Sequence, residues 1–113
     1  MLDDYAIDTL HSALSGLSAR QRAISDNIAN VNTPYFQARS VAFEGDLRRA
    51  LDDGDNVNTL RDNLVVSQAA PGLTENNVNL AEETMAAIKT QMSYNLMLRA
   101  TGDRFTLLKT AVR

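Results

Sequence analysis

Residues 7–31, IDTLHSALSGLSARQRAISDNIANV, carry the pattern that decides the fold. Apolar side chains recur there at alternating steps of three and four residues for more than three heptads, interrupted once at Gln21. The members of this pattern are Ile7, Leu10, Leu14, Leu17, Ile24, Ile28 and Val31. A repeat of 3.5 residues is typical of a helix that packs along another helix. The stretch therefore predicts a long N-terminal helix with a coiled-coil-like seam.

The predicted N-terminal helix has recognisable signals at both ends. Asp3 or Asp4 can act as the N-cap, because a carboxylate accepts hydrogen bonds from the free amides of the first turn. Proline disfavours helical dihedrals in the residue before it, so the helix ends before Pro34. We therefore predict a helix from Asp4 to about Ala29, about 39 Å long at 1.5 Å per residue, within an N-terminal part that covers residues 1–33.

A second long helix is predicted over residues 79–113. Asn79 is followed three residues later by Glu82, a variant of the capping box that starts many helices. Two apolar stripes follow, one of Met85, Ile88 and Met92, the other of Tyr94, Leu98, Thr101, Phe105, Leu108 and Val112. One partner helix covers only one stripe, so the surplus stripe predicts further neighbours, either copies or other proteins. Gly102 is expected to bend or fray this helix.

Residues 34–78 between the helices form a weaker segment. Apolar residues recur at every fourth position from 43 to 51 and predict at most a short helix there. The Asp- and Asn-rich stretch 52–77 has few apolar residues to offset the entropy of ordering, and we expect it to be mobile. The predicted fold is all-α and one structural domain. Its long terminal helices pair as an antiparallel coiled-coil-like hairpin, joined by a poorly ordered middle segment.

The composition argues against catalysis. The 113 residues include no cysteine, no tryptophan and one histidine, and only 5% are aromatic. Cysteine nucleophiles, disulfides and thiolate metal sites are therefore excluded, and His11 alone offers too few groups for a catalytic relay. Residues 52–56 resemble a calcium loop only loosely, because glycine is missing at the sixth position and glutamate at the twelfth. The sequence predicts no catalytic residue, no metal and no cofactor.

Charge and hydropathy exclude two classes of partner. The net charge is −3 and the basic residues are scattered, which argues against nucleic acid. No apolar run approaches the roughly 18 residues that a membrane-spanning helix needs. The N-terminus is acidic and lacks the apolar core of a secretory signal peptide, so any export is expected to bypass the general secretory route.

Residues 27–36, NIANVNTPYF, mark the end of the first helix. Asparagine side chains tolerate left-handed backbone and can satisfy free carbonyls at a helix end, and Pro34 sets the exit direction. An elaborate C-cap accounts for these residue types. It does not account for Tyr35 and Phe36, which we interpret as a packing anchor that holds the outgoing chain against the helix pair.

Ala29-Asn30-x-x-Thr33-Pro34 followed by an aromatic residue resembles the N-terminal signature of bacterial flagellar rod, hook and hook-associated proteins, ANxxTPGY. The motif residues in this chain are Asn27, Ala29, Asn30, Thr33, Pro34 and Phe36. Residues 78–80 and the closing FTLLKTAV of residues 105–112 resemble the proximal rod proteins of the basal body, the B type rather than its C-type neighbour. Tyr35 stands where the family has glycine. A positive φ would strain a bulky residue, so the turn is expected to differ here or to lie elsewhere.

The resemblance implies a structural subunit of the proximal rod, the periplasm-spanning drive shaft that joins the rotor ring to the distal rod and hook. Its implied partners are other rod proteins, the rotor (MS) ring and the adaptor at the rod base, and the type III apparatus that exports it unfolded without a cleaved signal peptide. In this family the terminal helices pair and pack with other subunits into an oligomeric tube. The implied assembly seams are Ile7, Leu10, Leu14, Leu17, Ile24, Ile28, Met85, Ile88, Met92, Leu98, Phe105 and Leu108.

Phe43-Glu44-Gly45-Asp46-Leu47 resembles the Phe-x-x-x-apolar export motif of rod and hook substrates. One turn of a packing helix is an equal interpretation of Phe43 and Leu47, and the two are compatible. The alternative function from another class is a small cytosolic helical adaptor or secretion chaperone. That alternative predicts a stably folded soluble dimer, whereas a rod subunit is expected to be a partly disordered monomer before assembly.

Overall fold

The computed structural model describes residues 2–54, 63–66 and 75–112. Its elements in chain order are helix α1 (Leu2–Ala29), strand β1 (Arg39–Ala42), helix α2 (Glu44–Asp53), strand β2 (Asn63–Val66) and helix α3 (Leu80–Val112). The predicted all-α class with long terminal helices is confirmed. Within the described ranges, no helix is both long enough and apolar enough to cross a membrane.

The helices α1 and α3 lie side by side and run in opposite directions. Tyr94 and Met97 of α3 pack against the core cluster that contains Leu17 of α1. Asn76, just before α3, hydrogen-bonds the carbonyl of Asn30, just after α1, so the start of one helix meets the end of the other. At 1.5 Å per residue the helices are about 42 and 50 Å long, which accounts for an elongated molecule of 62 × 26 × 14 Å.

The buried core is small and lies where the chain after β1 crosses α1. Leu17, Val41 and Phe43 are buried together. Gly16 lies directly beneath Phe43, and a Cβ at position 16 would overlap the aromatic ring. The ring therefore packs on bare helix backbone, a close approach that only glycine allows.

The short helix predicted in the middle segment is present as α2, at Glu44–Asp53 rather than residues 43–51. Phe43 occupies its N-cap position, and the Phe43 carbonyl accepts the amide of Leu47 at 2.9 Å. The helix ends at Gly54, whose φ of 73° is left-handed and whose N–H donates to Ala50. A left-handed glycine is a common helix terminator because it has no Cβ to clash.

The middle segment also contains two short strands, which the residue pattern did not predict. β1 and β2 pair antiparallel, with Arg39 opposite Val66 and Ala42 opposite Asn63. Strands of four residues are too short for a clear apolar alternation, so periodicity cannot reveal them. Most of the stretch 52–77 that was expected to be mobile lies outside the described residues.

The ends of the long helices differ from prediction in two places. α1 begins at Leu2, so Asp3 and Asp4 lie inside its first turn rather than at the N-cap. The helix α3 does not fray at Gly102 but continues through it to Val112. Asn79 is confirmed as the N-cap of α3, because its side-chain oxygen accepts hydrogen bonds of 3.1 and 3.3 Å from the amides two and three residues ahead.

Candidate assembly surfaces and the helix-exit motif

The first motif residue, Asn27, joins α1 to β1. Its side chain is 1% exposed. Its Nδ2 donates to the Arg39 carbonyl at 2.7 Å, and its Oδ1 accepts the Arg39 amide at 2.9 Å. The amide thus substitutes for a strand neighbour and satisfies both main-chain groups of one residue. This pairing sets where the outgoing chain lies against the last turns of α1.

Asn30 and Thr33 form the C-cap that the sequence predicted. The Asn30 side chain donates to the Asp26 carbonyl at 2.8 Å and accepts the Thr33 hydroxyl at 3.0 Å. The amide of Thr33 donates to the carbonyl of Asn30 at 3.0 Å. These bonds satisfy carbonyls that the end of a helix leaves free. Ala29 and Pro34, by contrast, are exposed and make no polar side-chain contact.

Tyr35 corrects two expectations. Its φ is 64°, so the left-handed turn stays at this position even though a tyrosine stands there. Its side chain is 75% exposed, so it is not the predicted packing anchor. Phe36 is half-buried, and its main chain bonds both sides of the turn, donating to Thr33 at 3.3 Å and accepting from Asn77 at 3.3 Å.

Asn76 closes the exit loop from the α3 side, a role that the residue pattern did not predict. Its Nδ2 donates to the carbonyls of Asn30 and Thr33, both at 2.7 Å. Its Oδ1 accepts the Val78 amide at 2.8 Å. One buried amide therefore ties the end of α1 to the approach of α3.

Asn77 ties the next part of the exit loop, at Gln37 and Ala38, to the approach of α3. Its Oδ1 accepts the Ala38 amide at 2.6 Å, and its Nδ2 donates to Gln37 at 3.2 Å. Both Asn76 and Asn77 are buried. The available signal was an Asn-Asn pair placed two residues before a helix N-cap, opposite another Asn-rich helix end.

Arg20 of α1 holds the start of α2. Its guanidinium donates to the Val41 carbonyl at 2.8 Å and pairs with the Glu44 carboxylate at 2.6 Å. It also lies over the Phe43 ring, 5.0 Å from the centroid. The hydrogen bond from Arg20 lowers the pKa of the Glu44 carboxyl below its ordinary value, against the opposing effect of partial burial. A planar, multidentate cation is suited to bridging three such groups.

The residues of the predicted export motif are packed in the folded chain. Phe43 is buried against Gly16, and Leu47 is half-buried. The interpretation as one turn of a packing helix is therefore confirmed, while the export role stays a prediction.

The predicted seam of α1 faces inward. Leu17 and Ile24 are buried, and the remaining members are half-buried, namely Ile7, Leu10, Leu14 and Ile28. Gln21, which interrupts the seam, has a buried side-chain oxygen that lacks a partner among the described residues. This seam therefore supplies the contact within the hairpin.

The predicted seams of α3 face largely outward. Met85, Ile88, Met92, Leu98 and Phe105 are exposed, and Leu108 is half-buried. Leu96 and Leu107, which lie outside the predicted seams, are also exposed. The residues turned toward α1 are mainly small or polar, among them Ala86, Ala87, Thr90, Ser93 and Thr101. Small inner residues let the two helices lie close and leave the large apolar side chains of α3 for other contacts.

Known proteins resemble this chain both in the region of the helix exit and over most of its length. A family model described as flagella basal body rod protein matches residues 7–37, which contain the α1 seam and the helix-exit motif. The chain is 30% identical to the flagellar basal body rod protein FlgB of Borreliella burgdorferi, with 96% of each chain covered. It is 28% identical to the FlgB proteins of Borrelia hermsii, covering 97% of each chain, and of Bacillus subtilis, covering 94% of this chain and 92% of the relative.

The chain belongs to the flagellar basal body rod protein family. It is therefore a structural subunit of the rod, and the relatives named above give no support to a cytosolic adaptor or chaperone. In this rod protein Tyr35, which stands where the family signature has glycine, has a positive φ. Among the described residues, no group of three or more His, Cys, Asp or Glu could hold a metal ion.

Proposed function

We propose that this rod protein is a subunit of the proximal rod and transmits torque from the rotor ring toward the hook. The observation that carries the proposal is the outward face of α3, where large apolar side chains lie in water in the single chain. A soluble monomer rarely leaves such side chains in a contiguous patch unless a partner covers them. In a drive shaft, neighbouring subunits would cover them.

The mechanism is mechanical. The α1 seam and the buried asparagines hold the hairpin as one unit, and the outward residues of α3 connect that unit to its neighbours. Complete burial of one Met, Leu or Ile side chain is worth about 1.5–3 kcal/mol, so a few such contacts for each subunit spread the load over many weak bonds. Close-packed side chains resist compression, which suits a shaft under torsion.

We propose the same partners that the sequence indicated: other rod proteins, the MS ring with the adaptor at the rod base, and the type III export apparatus. The proposed location is the periplasm-spanning part of the basal body. Phe43 and Leu47 are the proposed export motif. The burial of Phe43 means that the export apparatus would meet this motif only in an unfolded chain.

The proposal is tested with Met92→Asp in cells whose own gene is deleted. Met92 is exposed, so the substitution leaves the hairpin folded, but it places a charge where apolar contact is needed. We expect the variant to be exported and swimming to be lost. Gln91→Asp, at an exposed polar position on the same turn, is the control and should swim. Normal swimming of Met92→Asp, or of the deletion strain itself, would contradict the proposal.

A further inference from the structure

Four exposed apolar side chains lie along one line of α3, and we call them the outer ridge. They are Met85, Ile88, Met92 and Leu96, each 52–67% exposed. Their steps of three, four and four residues place them on a single helix face. Thr90, which lies between them in sequence, is buried on the opposite side. The outer ridge is therefore turned away from α1.

An open groove of about 840 Å³ lies beside the C-terminal half of α1. We call it the α1 groove. Arg39 and Val41 of β1 line one side. The helix contributes mainly small side chains, namely Ser18, Ala19, Ala23, Ser25 and Ala29.

The outer ridge and the α1 groove are complementary in shape. A ridge of large side chains at helical spacing fits between the rows of another helix, and small residues in those rows let the axes approach to about 8–10 Å. Methionine, which supplies two of the four ridge residues, is flexible and adapts to an irregular wall. Within one chain the ridge cannot reach the groove, because the ridge faces away from α1 itself.

Charges select one alignment of the two surfaces. The α1 groove carries Arg22 and then Asp26, one helical turn further along. Beside the outer ridge lies Lys89, which follows Ile88 directly. Laid antiparallel over the groove, the ridge spans its full length and Lys89 comes beside Asp26, whereas the parallel overlay puts Lys89 beside Arg22. Neither Asp26 nor Lys89 forms an ion pair with another described residue, so the two can pair between chains.

We propose that the outer ridge of one copy docks antiparallel into the α1 groove of a second copy, so that successive copies keep the same orientation. This inference rests on the proposed function and names one contact that would build the rod. Ridge and groove are different surfaces of the same chain, so the contact is heterologous and leaves a free ridge and a free groove on every pair. Copies can therefore add one after another without forming a closed ring. A single helix ridge covers less than the roughly 1,000 Å² that a stable interface needs, so the isolated chain stays monomeric and the contact forms within the growing assembly.

Paired cysteines test the contact, because the chain has none of its own. Ser25→Cys lies in the α1 groove, and Ile88→Cys lies on the outer ridge. In cells that carry both substitutions and swim, oxidation before isolation of the basal bodies should give a ladder of dimers, trimers and larger species. Each single variant should stay monomeric. His11→Cys combined with Ile88→Cys is the control, since His11 is exposed on α1 outside the groove, and it should give no ladder.

Two results would overturn the proposal. One is a dimer from Ile88→Cys alone, which would mean that two ridges pair symmetrically. The other is an absence of crosslinks in doubly substituted cells that still swim. In that case the protein would remain a rod subunit while this contact was refuted, so the two failures are distinguishable.

Charge exchange gives an independent measurement. Asp26→Lys or Lys89→Asp alone should lower the crosslinked fraction about fivefold, the effect of about 1 kcal/mol at an exposed ion pair. The two changes together should restore that fraction to near its original value. Arg48→Glu on α2, exposed and outside the groove, is the matched control and should change nothing. Additive losses in the double variant would contradict the pairing even if the cysteine variant failed to assemble.

Discussion

Asn27 binds both main-chain groups of Arg39 through its side-chain amide, at 2.7 and 2.9 Å. This relationship connects the last turns of α1 to the first residue of β1 across 12 residues of sequence. The Asn27 side chain is the largest fully buried one in the described chain, so the best-protected group in this thin molecule is polar. Its stability therefore depends on hydrogen bonds at the helix exit as well as on the apolar seam.

Removal of this amide should be costly. Asn27→Ala removes the side-chain partner of the part-buried N–H and C=O of Arg39, and an unpaired group costs up to about 1–3 kcal/mol when it is buried. We expect a loss of about 2–4 kcal/mol in the free energy of unfolding, measured by urea denaturation with circular dichroism. Asn32→Ala, at an exposed position in the same motif, should stay within about 0.5 kcal/mol. Equal effects of the two substitutions would show that Asn27 acts only through the local helix end.

Gly16 should be irreplaceable while Phe43 is present. A methyl group at position 16 would overlap the Phe43 ring, so Gly16→Ala should destabilise the fold by about 1–3 kcal/mol. Gly45→Ala, in α2 with open space around its Cβ, should instead stabilise by about 0.5–1 kcal/mol. Thermal unfolding of both variants measures the contrast. Combining Gly16→Ala with Phe43→Leu should recover part of the loss, since the two residues share one contact.

Replacing Tyr35 by glycine should stabilise the fold, because the turn at this residue is strained. A left-handed conformation costs an L-residue about 1–2 kcal/mol, and Tyr35 adopts it with φ of 64°. Replacement by glycine removes this cost. Part of the resulting gain in stability is cancelled because glycine has more freedom in the unfolded chain. We expect Tyr35→Gly to raise stability by about 0.5–1 kcal/mol, and Tyr35→Val to lower it, in the same thermal assay. If Tyr35→Gly proved destabilising, the tyrosine ring would have to make a stabilising contact that its exposure does not suggest.

The ion pair of Arg20 with Glu44 should give the fold a weak pH dependence. The pKa of Glu44 in the folded chain lies below its ordinary value of 4.5. The contribution of the ion pair to the free energy of unfolding is therefore fully present above pH 4.5 and is lost as the pH falls through the lowered pKa. Because the carboxylate is largely exposed, solvent screening limits the effect to about 0.5 kcal/mol.

The measurement compares unfolding midpoints of the wild type and Glu44→Gln between pH 3 and pH 7. The difference should be present at pH 7 and should shrink below pH 4.5. In an Arg20→Met background the same comparison should give no pH-dependent difference, because the partner that lowers the pKa is gone. A difference that persisted there would assign the effect to another group.

Some elements could be predicted from residue pattern because their causes are local. The heptad repeat of α1, the proline after it and the Asn79 cap each act within a few residues, and each is found where expected. The strands β1 and β2 could not be predicted, since each takes its hydrogen bonds from a distant segment. Asn76 and Asn77 were missed for the same reason, because their partners lie about 40 residues earlier.

The amino-acid sequence alone determined the helical hairpin, the position of the exit motif and the surplus of apolar stripes on the second helix. Periodicity and capping encode these features directly, and they need no knowledge of what lies opposite. Which residues of α3 point inward depends on what α1 and β1 place opposite them, so only the tertiary structure decided it. Mainly small or polar residues take the inner face, together with Tyr94 and Met97, which pack against the core cluster. The large side chains from Met85 to Leu96 are consequently left on the outside, available to other subunits.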